Sequence, residues 1–588
     1  MSENQLAVEV VRGEMQPWSD YSGQRRAVGG LVLRTLLTDV LLDARTLVLG
    51  PHGADLIEAV LAKSGPTTLL VRSVSDAGEL SDKFGDRLQV VAGGLDGLVA
   101  AGATPYDVVV AADGLDRVLG YDSDDLNWQQ RLDALAAVMS PRGVLVLGLE
   151  NEFSLTNLFD RRPADQRHAD DEWRPLHDDP SRPVSVAQLA ESLERIGLGT
   201  DVAAYAAFSV EETPSALIAA DVAAAARPGQ LPARIAVEAL EASATVVPLL
   251  APVAEGAEAA ARAGLLASTA GGWIAVAGAA PKHAVYAQTP GQEALLTADP
   301  VSDGWSVSVT GGGAEVAGVV FDASAVPATV PGGVTVETQL IRLAAAEDVP
   351  RFRELAARLG DWARSQADSR VLLRWDDVVV DGDSFGFGIS AWTTAATETD
   401  KDRLAAAWSR FHDRLIGGHR RHPWPPWMVG DDLVAAWVAM SGVDPVRQTP
   451  AAGPDSPSAS VEYVARGKEL AGALAAAVGI PADASQTPDV RTALAQAERS
   501  AHAVYELKGQ IFGLERTLGF RDKALKTRET RIRELRVQIQ SVHAEHIRLR
   551  KSRAYAAVKV VRRVAQIRNP RKFAGKIKRR LKSKLGPA

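Results

Sequence analysis

The sequence predicts an α/β protein with three parts. A parallel-sheet domain opens the chain, an α+β middle domain follows, and a coiled coil with basic amphipathic helices closes it. Three observations predict this. Short apolar runs alternate with helical patterns through residues 1–226. A Gly- and Val-rich stretch gives way to helical, Trp-rich patches between 227 and 445. An apolar heptad repeat then fills 496–550, ahead of a basic tail at 551–588. Residues 446–495, rich in Pro, Ser and Ala around one short helix near Val461 to Val478, read as a linker. At 588 residues the chain is too long for one core. It has no cysteine, which excludes disulfides, thiolate metal sites and a cysteine nucleophile. The start, MSENQLAVEVVRGEMQPW, lacks the basic-then-apolar order of a secretory leader, and no uncharged apolar run reaches the length of a membrane span.

The first domain is justified strand by strand. Thr46 to Leu49 is a buried-type strand, Gly50-Pro51-His52-Gly53 the turn after it, and Asp55 to Lys63 a helix. Thr68 to Val71 is the second strand, and Ser75 with Asp76 caps the helix Ala77 to Phe84. Leu88 to Ala92 is the third, ending in Gly93-Gly94, and Tyr106 to Ala112 the fourth, ending at Asp113. A helix from Trp128 to Val138 reaches the turn Pro141-Arg142-Gly143, and Val144 to Leu149 is the fifth strand. Alternation at this spacing implies a parallel sheet whose ligands sit outside the carboxyl ends of its strands.

These signals, together with Leu135-x-x-Val138-x-Ser140-Pro141-x-Gly143, Glu150-Asn151-Glu152-Phe153 and Leu189-x-x-x-Leu193-x-x-Ile196-Gly197-Leu198, resemble the class I S-adenosylmethionine-dependent methyltransferases over residues 30–220. The resemblance implies a Rossmann-like domain with S-adenosylmethionine as cofactor. Gly50 and Gly53 would then admit the cofactor's carboxylate end, with His52 beside them. Gly94 and Leu95 would flank the adenine, and Ala112 and Asp113 would line the far side. Two departures stand out. Leu49 occupies the acidic place before the first glycine, and Arg72 or Ser73 replaces the acid that holds the ribose hydroxyls. Missing acceptors of that kind cost about 1–3 kcal/mol each. Candidate proton acceptors lie in the polar stretch 165–179, with His168, Asp171 and His177 foremost; the alternative is a solvated loop.

In the middle domain, Gly311-Gly312-Gly313 reads as a hairpin turn, since no Gly-Lys-Ser/Thr ending follows. Trp375-Asp376-Asp377-Val378-Val379-Val380-Asp381-Gly382-Asp383 and Phe385 to Ile389 distantly resemble the catalytic hairpin of aminoglycoside-phosphotransferase-like kinases. Asp377 lies near the family's Asn place, and Gly388 or Ser390 where its metal-binding Asp belongs. Such a domain is expected to be degenerate. His412, His419 and His422, interleaved with Trp424, Trp427 and prolines, lack metal-ligand spacing and read as a packing wall. No metal is expected.

Heptads counted from Val504 place apolar residues at eleven of fourteen a and d positions, with Arg521, Arg528 and His546 at the others. That predicts a homo-oligomeric coiled coil, or else one amphipathic helix lying on the body. From Arg550 onward there are fifteen Lys or Arg and no acid, so the preceding residues carry −23 of the chain's net −8. Val558, Val561 and Val564, then Phe573, Ile577, Leu581 and Leu585, form apolar stripes among these cations. Stripe and charge together suit an anionic membrane surface better than nucleic acid. The whole order resembles bacterial surface-polysaccharide methyltransferases of the chain-terminating kind. That implies methyl transfer to a cell-surface glycan or lipid-linked sugar, in a cytoplasmic protein held peripherally at the inner membrane face. A non-catalytic scaffold for a glycan-assembly partner is the other class.

Overall fold

The computed structural model describes residues 8–16, 18–22, 25–160, 162, 179–199, 201–208, 213–243, 253–366, 369–394, 398–417, 420–425, 428, 430–443, 459–478 and 490–567. The chain divides into two units, 1–486 and 487–588.

The first unit is built on one sheet of thirteen strands. Its parallel half holds β1 (Glu9–Val10), β2 (Thr46–Leu49), β3 (Thr67–Val71), β4 (Gln89–Ala92), β5 (Tyr106–Ala111) and β6 (Met139–Glu150), in the order β1-β4-β3-β2-β5-β6. Leu47 and Leu49 point into one core and Val48 into the other, the period of two expected of a strand buried on both faces. Helices α1 (Leu31–Val40), α2 (Ala54–Lys63), α3 (Val74–Phe84), α4 (Leu95–Ala100) and α5 (Trp128–Ala137) pack against it. In α1, Val32, Leu33, Leu36, Leu37 and Val40 recur at helical spacing, and all are buried. Strand order reverses between β2 and β5, so the crevice at this switch point opens beside Gly50 and Asp113.

The expected elements are present, with three local differences. Ser73, not Ser75 or Asp76, caps α3, its hydroxyl accepting from Asp76 N. Residues 141–143 continue β6 instead of turning, and the register against β5 shifts between Tyr106 and Val108. The sheet also does not stop at residue 226. After β7 (Val202–Phe208) and β8 (Ala216–Ala219), the chain returns β9 (Gly272–Ala277) between β6 and β7, antiparallel to both. Strands β10 (Val285–Gln288), β11 (Ala294–Val301) and β12 (Gly304–Gly311) then extend the same sheet beyond β8.

Strands β13 (Glu315–Val316) and β14 (Val319–Phe321) belong to a separate three-stranded sheet, while β15 (Thr329–Pro331) closes the large one. Because β12 pairs with β11 and β15, Gly311-Gly312-Gly313 carries the chain from one sheet to another and is no hairpin turn. Strands β16 (Val379–Asp381) and β17 (Ser384–Gly386) form the expected hairpin with Gly382 at φ 57°, and β18 (Trp392–Thr394) joins β14. Helices 336–345, 349–365, 400–412, 431–440 and 459–477 pack around Trp375, Trp408 and Trp437.

In the second unit, residues 490–551 are one continuous helix and 553–567 another. Val504, Ile511, Leu518, Leu525 and Ile532 of the a positions, and Leu507, Leu514 and Leu535 of the d positions, are all exposed on it.

Candidate functional site

At the switch point the loop after β2 is fixed by a histidine. Gly50 has φ 90°, a value that favours glycine, which turns the chain so that the His52 ring is fully buried. His52 Nδ1 lies 3.0 Å from Gly50 O, and Nε2 lies 3.2 Å from Ala112 N. A backbone N–H can only donate, so Nε2 accepts from Ala112 and Nδ1–H donates to Gly50. The ring is thus neutral and ties the end of β2 to the end of β5. Burial pushes its pKa below the ordinary histidine value.

The rest of the crevice is occupied by the chain itself. After β1 joins the edge of β4, Val11 N donates to Ala92 O at 2.9 Å and Gly94 N to Arg12 O at 2.8 Å. The backbone at Gly13 then presses onto Gly94: a Cβ on Gly13 would stand 2.5 Å from Gly94 N. Met15 N bonds to Arg72 O at 2.9 Å. Further along, the Asp20 carboxylate meets the Arg72 guanidinium in a two-pronged ion pair, and both side chains are buried. Trp18 covers that guanidinium, 5.6 Å from its ring centre. Tyr21 donates to His52 O at 2.9 Å and accepts from His52 N at 3.1 Å. Burial raises its phenol pKa. Finally Gly53 N donates to Val28 O at 2.8 Å. The described residues of 8–28 thus visit the carboxyl ends of β4, β3 and β2 in turn, along the crevice of the switch point.

Of the residues expected to bind cofactor, Gly50, His52, Gly53, Ala112 and Asp113 do meet at the switch point, and Arg72, Gly94 and Leu95 line the same crevice. Their observed contacts are internal. The Asp113 carboxylate holds Arg117 through two hydrogen bonds, 2.6 and 2.9 Å long. Arg117 in turn donates to the carbonyls of Asp20, Arg25 and Arg26. Burial opposes the Arg117 charge, and Asp113 more than offsets it, so its pKa lies above the ordinary value. Leu95 is buried in the core. Residues 11–16, 18–22 and 25–28 border the crevice in which the resemblance places an adenosyl group. No acid ends β3 to take ribose hydroxyls, because Arg72 stands there with its own carboxylate.

Sequence reasoning missed Asp20, Met15, Trp18 and Arg117. One signal was available: a cation ending a buried strand demands a buried anion, and the preceding strap supplies it. His168, Asp171 and His177 lie outside the described residues, as do His419 and Trp427. His412 Nε2 accepts from Gly430 N at 3.1 Å, and Trp424 packs on Phe352 and Trp437, as expected of a packing wall. Among the described residues no group of His, Asp and Glu is placed to hold a metal. In the β16–β17 region the Asp377 carboxylate is spent on Arg234 and on the amides of Ile389 (2.8 Å) and Ser390 (3.1 Å). Nearby Asp376 is gripped by Arg374 and Arg410. Burial opposes its charge, yet these cations hold its pKa well below the carboxylate range. This cluster is closed by its own ion pairs.

No protein-family model and no curated protein matches the chain. Solved structures similar to part of it include the N-methyltransferase NodS from Bradyrhizobium japonicum WM9 with S-adenosylhomocysteine. That pair shares 17% identity over 21% of this chain and 59% of that one, at a TM-score of 0.17. A second is the 1,6-didemethyltoxoflavin-N1-methyltransferase of Burkholderia thailandensis, at 17% identity over 26% and 60%, TM-score 0.18. A third is an S-adenosylmethionine-dependent methyltransferase of Clostridium acetobutylicum, at 15% identity over 23% and 56%, TM-score 0.19. The chain spans less than two thirds of each. Likeness at this level leaves cofactor, reaction and acceptor with those proteins. The Rossmann-like character of the parallel half rests on its own strand order.

Proposed function

We propose that this protein is a methyltransferase-fold adaptor for glycan assembly at a membrane surface, its nucleotide crevice filled by its own N-terminal segment. The observation that carries the closed crevice is the seating of Asp20 on Arg72, where the related fold keeps an acid for ribose. The order of domains supports the glycan context: a methyltransferase-type sheet, a second folded region whose Asp376 and Asp377 are held in ion pairs, a long helix and a basic helix. The exposed Val558, Val561 and Val564 beside Lys559, Arg562 and Arg563 support attachment to anionic lipid.

A second reading has its own support. Gly50 and Gly93 keep positive φ, 90° and 151°, at the ends of β2 and β4, the backbone shape that lets a nucleotide approach. With the segment out, the same crevice could bind S-adenosylmethionine and the chain would be a methyltransferase acting on a glycan or lipid-linked sugar. Calorimetric titration of the full chain with S-adenosylmethionine separates the two. No heat from folded protein supports the adaptor; saturable micromolar binding refutes it.

A further inference from the structure

Segment 8–28 is attached unlike the rest of the domain. Among its described residues only Met15 and Val28 are buried apolar side chains, whereas α1, which follows directly, buries five. Val8, Val11 and Tyr21 pack partly buried against the two cores, and polar contacts hold the rest. Arg12 pairs with Asp96 at 2.6 Å and with Asp124 at 2.8 Å, Gly13 N donates to Asp122, Asp20 N donates to Asp76, and Asp20 pairs with Arg72. With fewer fully buried apolar side chains than α1, the segment is expected to open at a lower free energy than the sheet beneath.

Yet the bed under it is shaped for it. A Cβ on Gly120 would fall 1.8 Å from Gly13 O, and one on Gly97 would fall 2.0 Å from Arg12 O. Side chains at either position would collide with the segment's backbone. The crevice therefore fits this one peptide closely, and the bonds that keep it there are mostly polar and reach across long stretches of sequence.

We propose that residues 8–28 are an intramolecular occupant of the crevice, latched by Asp20 on Arg72, that leaves by local opening while the sheet stays folded. The latch is the contact whose loss changes most. Asp20 is the carboxylate facing a guanidinium sealed between Trp18 and the end of β3, and nothing in the apolar packing compensates for its charge. Opening bares the Gly53 and Gly94 amides, Arg72 and the carbonyl-binding edge of Arg117 together. Opening also releases the Asp76, Asp96, Asp122 and Asp124 carboxylates from the segment, so the vacated crevice presents cationic donors on one side and acids on the other. This goes beyond the adaptor reading, because it gives that adaptor two states.

Hydrogen exchange of the full-length chain, followed by mass spectrometry of its peptides, tests it. Asp20→Asn removes the charge from the latch; Gly120→Ala pushes on Gly13 O without touching Arg72. Exchange in peptides spanning 8–28 is expected to rise about ten- to a hundred-fold in Asp20→Asn, the scale of a lost charge-assisted hydrogen bond. Peptides from β2, β3, β5 and β6 should keep their wild-type rates, and Gly120→Ala should show the same pattern. If strap and sheet peptides accelerate together in both variants, the segment is an integral part of the core and the proposal fails. Unchanged exchange at 8–28 in both variants would equally overturn it. Neither outcome depends on whether S-adenosylmethionine binds, so this test and the calorimetric one fail separately.

Discussion

His52 should write a pH signature into the stability of the first unit. Its ring is fully buried, with Nε2 accepting from Ala112 N and Nδ1–H donating to Gly50 O. A second proton has no place to go: it would set N–H against N–H and break the tie between β2 and β5. The folded pKa therefore lies below the unfolded value of 6.5. The unfolded chain binds this proton as pH falls through 6.5 and the folded chain does not, so stability drops from there downward. One such proton is worth up to about 2 kcal/mol between pH 7.5 and 5.0. The assay is urea unfolding, comparing wild type with His52→Gln at both pH values so that the other histidines cancel. Loss of the ring's hydrogen bonds should cost the variant about 1–3 kcal/mol at pH 7.5. That gap should narrow by about 2 kcal/mol at pH 5.0. A gap constant within about 0.5 kcal/mol across that range would refute the buried neutral ring.

Three further outcomes are expected. Trp408 is fully buried among Phe352, Trp375, Phe411 and Trp437, so Trp408→Ala should lower unfolding free energy by about 3–5 kcal/mol. A loss under about 1 kcal/mol in denaturant titration would show that the cluster is loosely packed. Leu518→Asp with Leu525→Asp places charges on the exposed heptad stripe. Light scattering should then read 62.3 kDa, against a multiple of it for wild type; a monomeric wild type would remove the coiled coil. Vesicles containing anionic lipid should float the full chain at low salt but not a chain ending at residue 550, and equal flotation of both would rule out the tail as the anchor.

Strands β2 to β5 were legible because each is short, largely apolar and followed by a helix with a buried face, whereas β1, two exposed residues, left no such signal. Thr46 to Leu49 and Tyr106 to Ala111 can be little else. The switch-point residues were legible for the same reason, since topology alone brings Gly50 and Asp113 together. Their use was not. Gly94 looks like room for a ligand, and only the path of residues 11–13 shows that it, with Gly97 and Gly120, makes room for backbone. That path depends on polar contacts of long sequence separation, such as Asp20 with Arg72, which leave no periodic trace. The boundary placed at 226 misled because Ala226-Arg227-Pro228-Gly229 is a true turn. A turn says where an element ends and nothing about which strand the chain will later pair with.

Placing β9 between β6 and β7 has a cost during synthesis. The facing edges of β6 and β7 leave the ribosome first, and Ala277 follows Phe208 by about seventy residues. At ordinary translation rates that leaves about 3–14 s in which two apolar edges wait for the strand that joins them. A nascent chain in this interval exposes unpaired strand edges, and slowing elongation across 209–277 should lower its soluble yield.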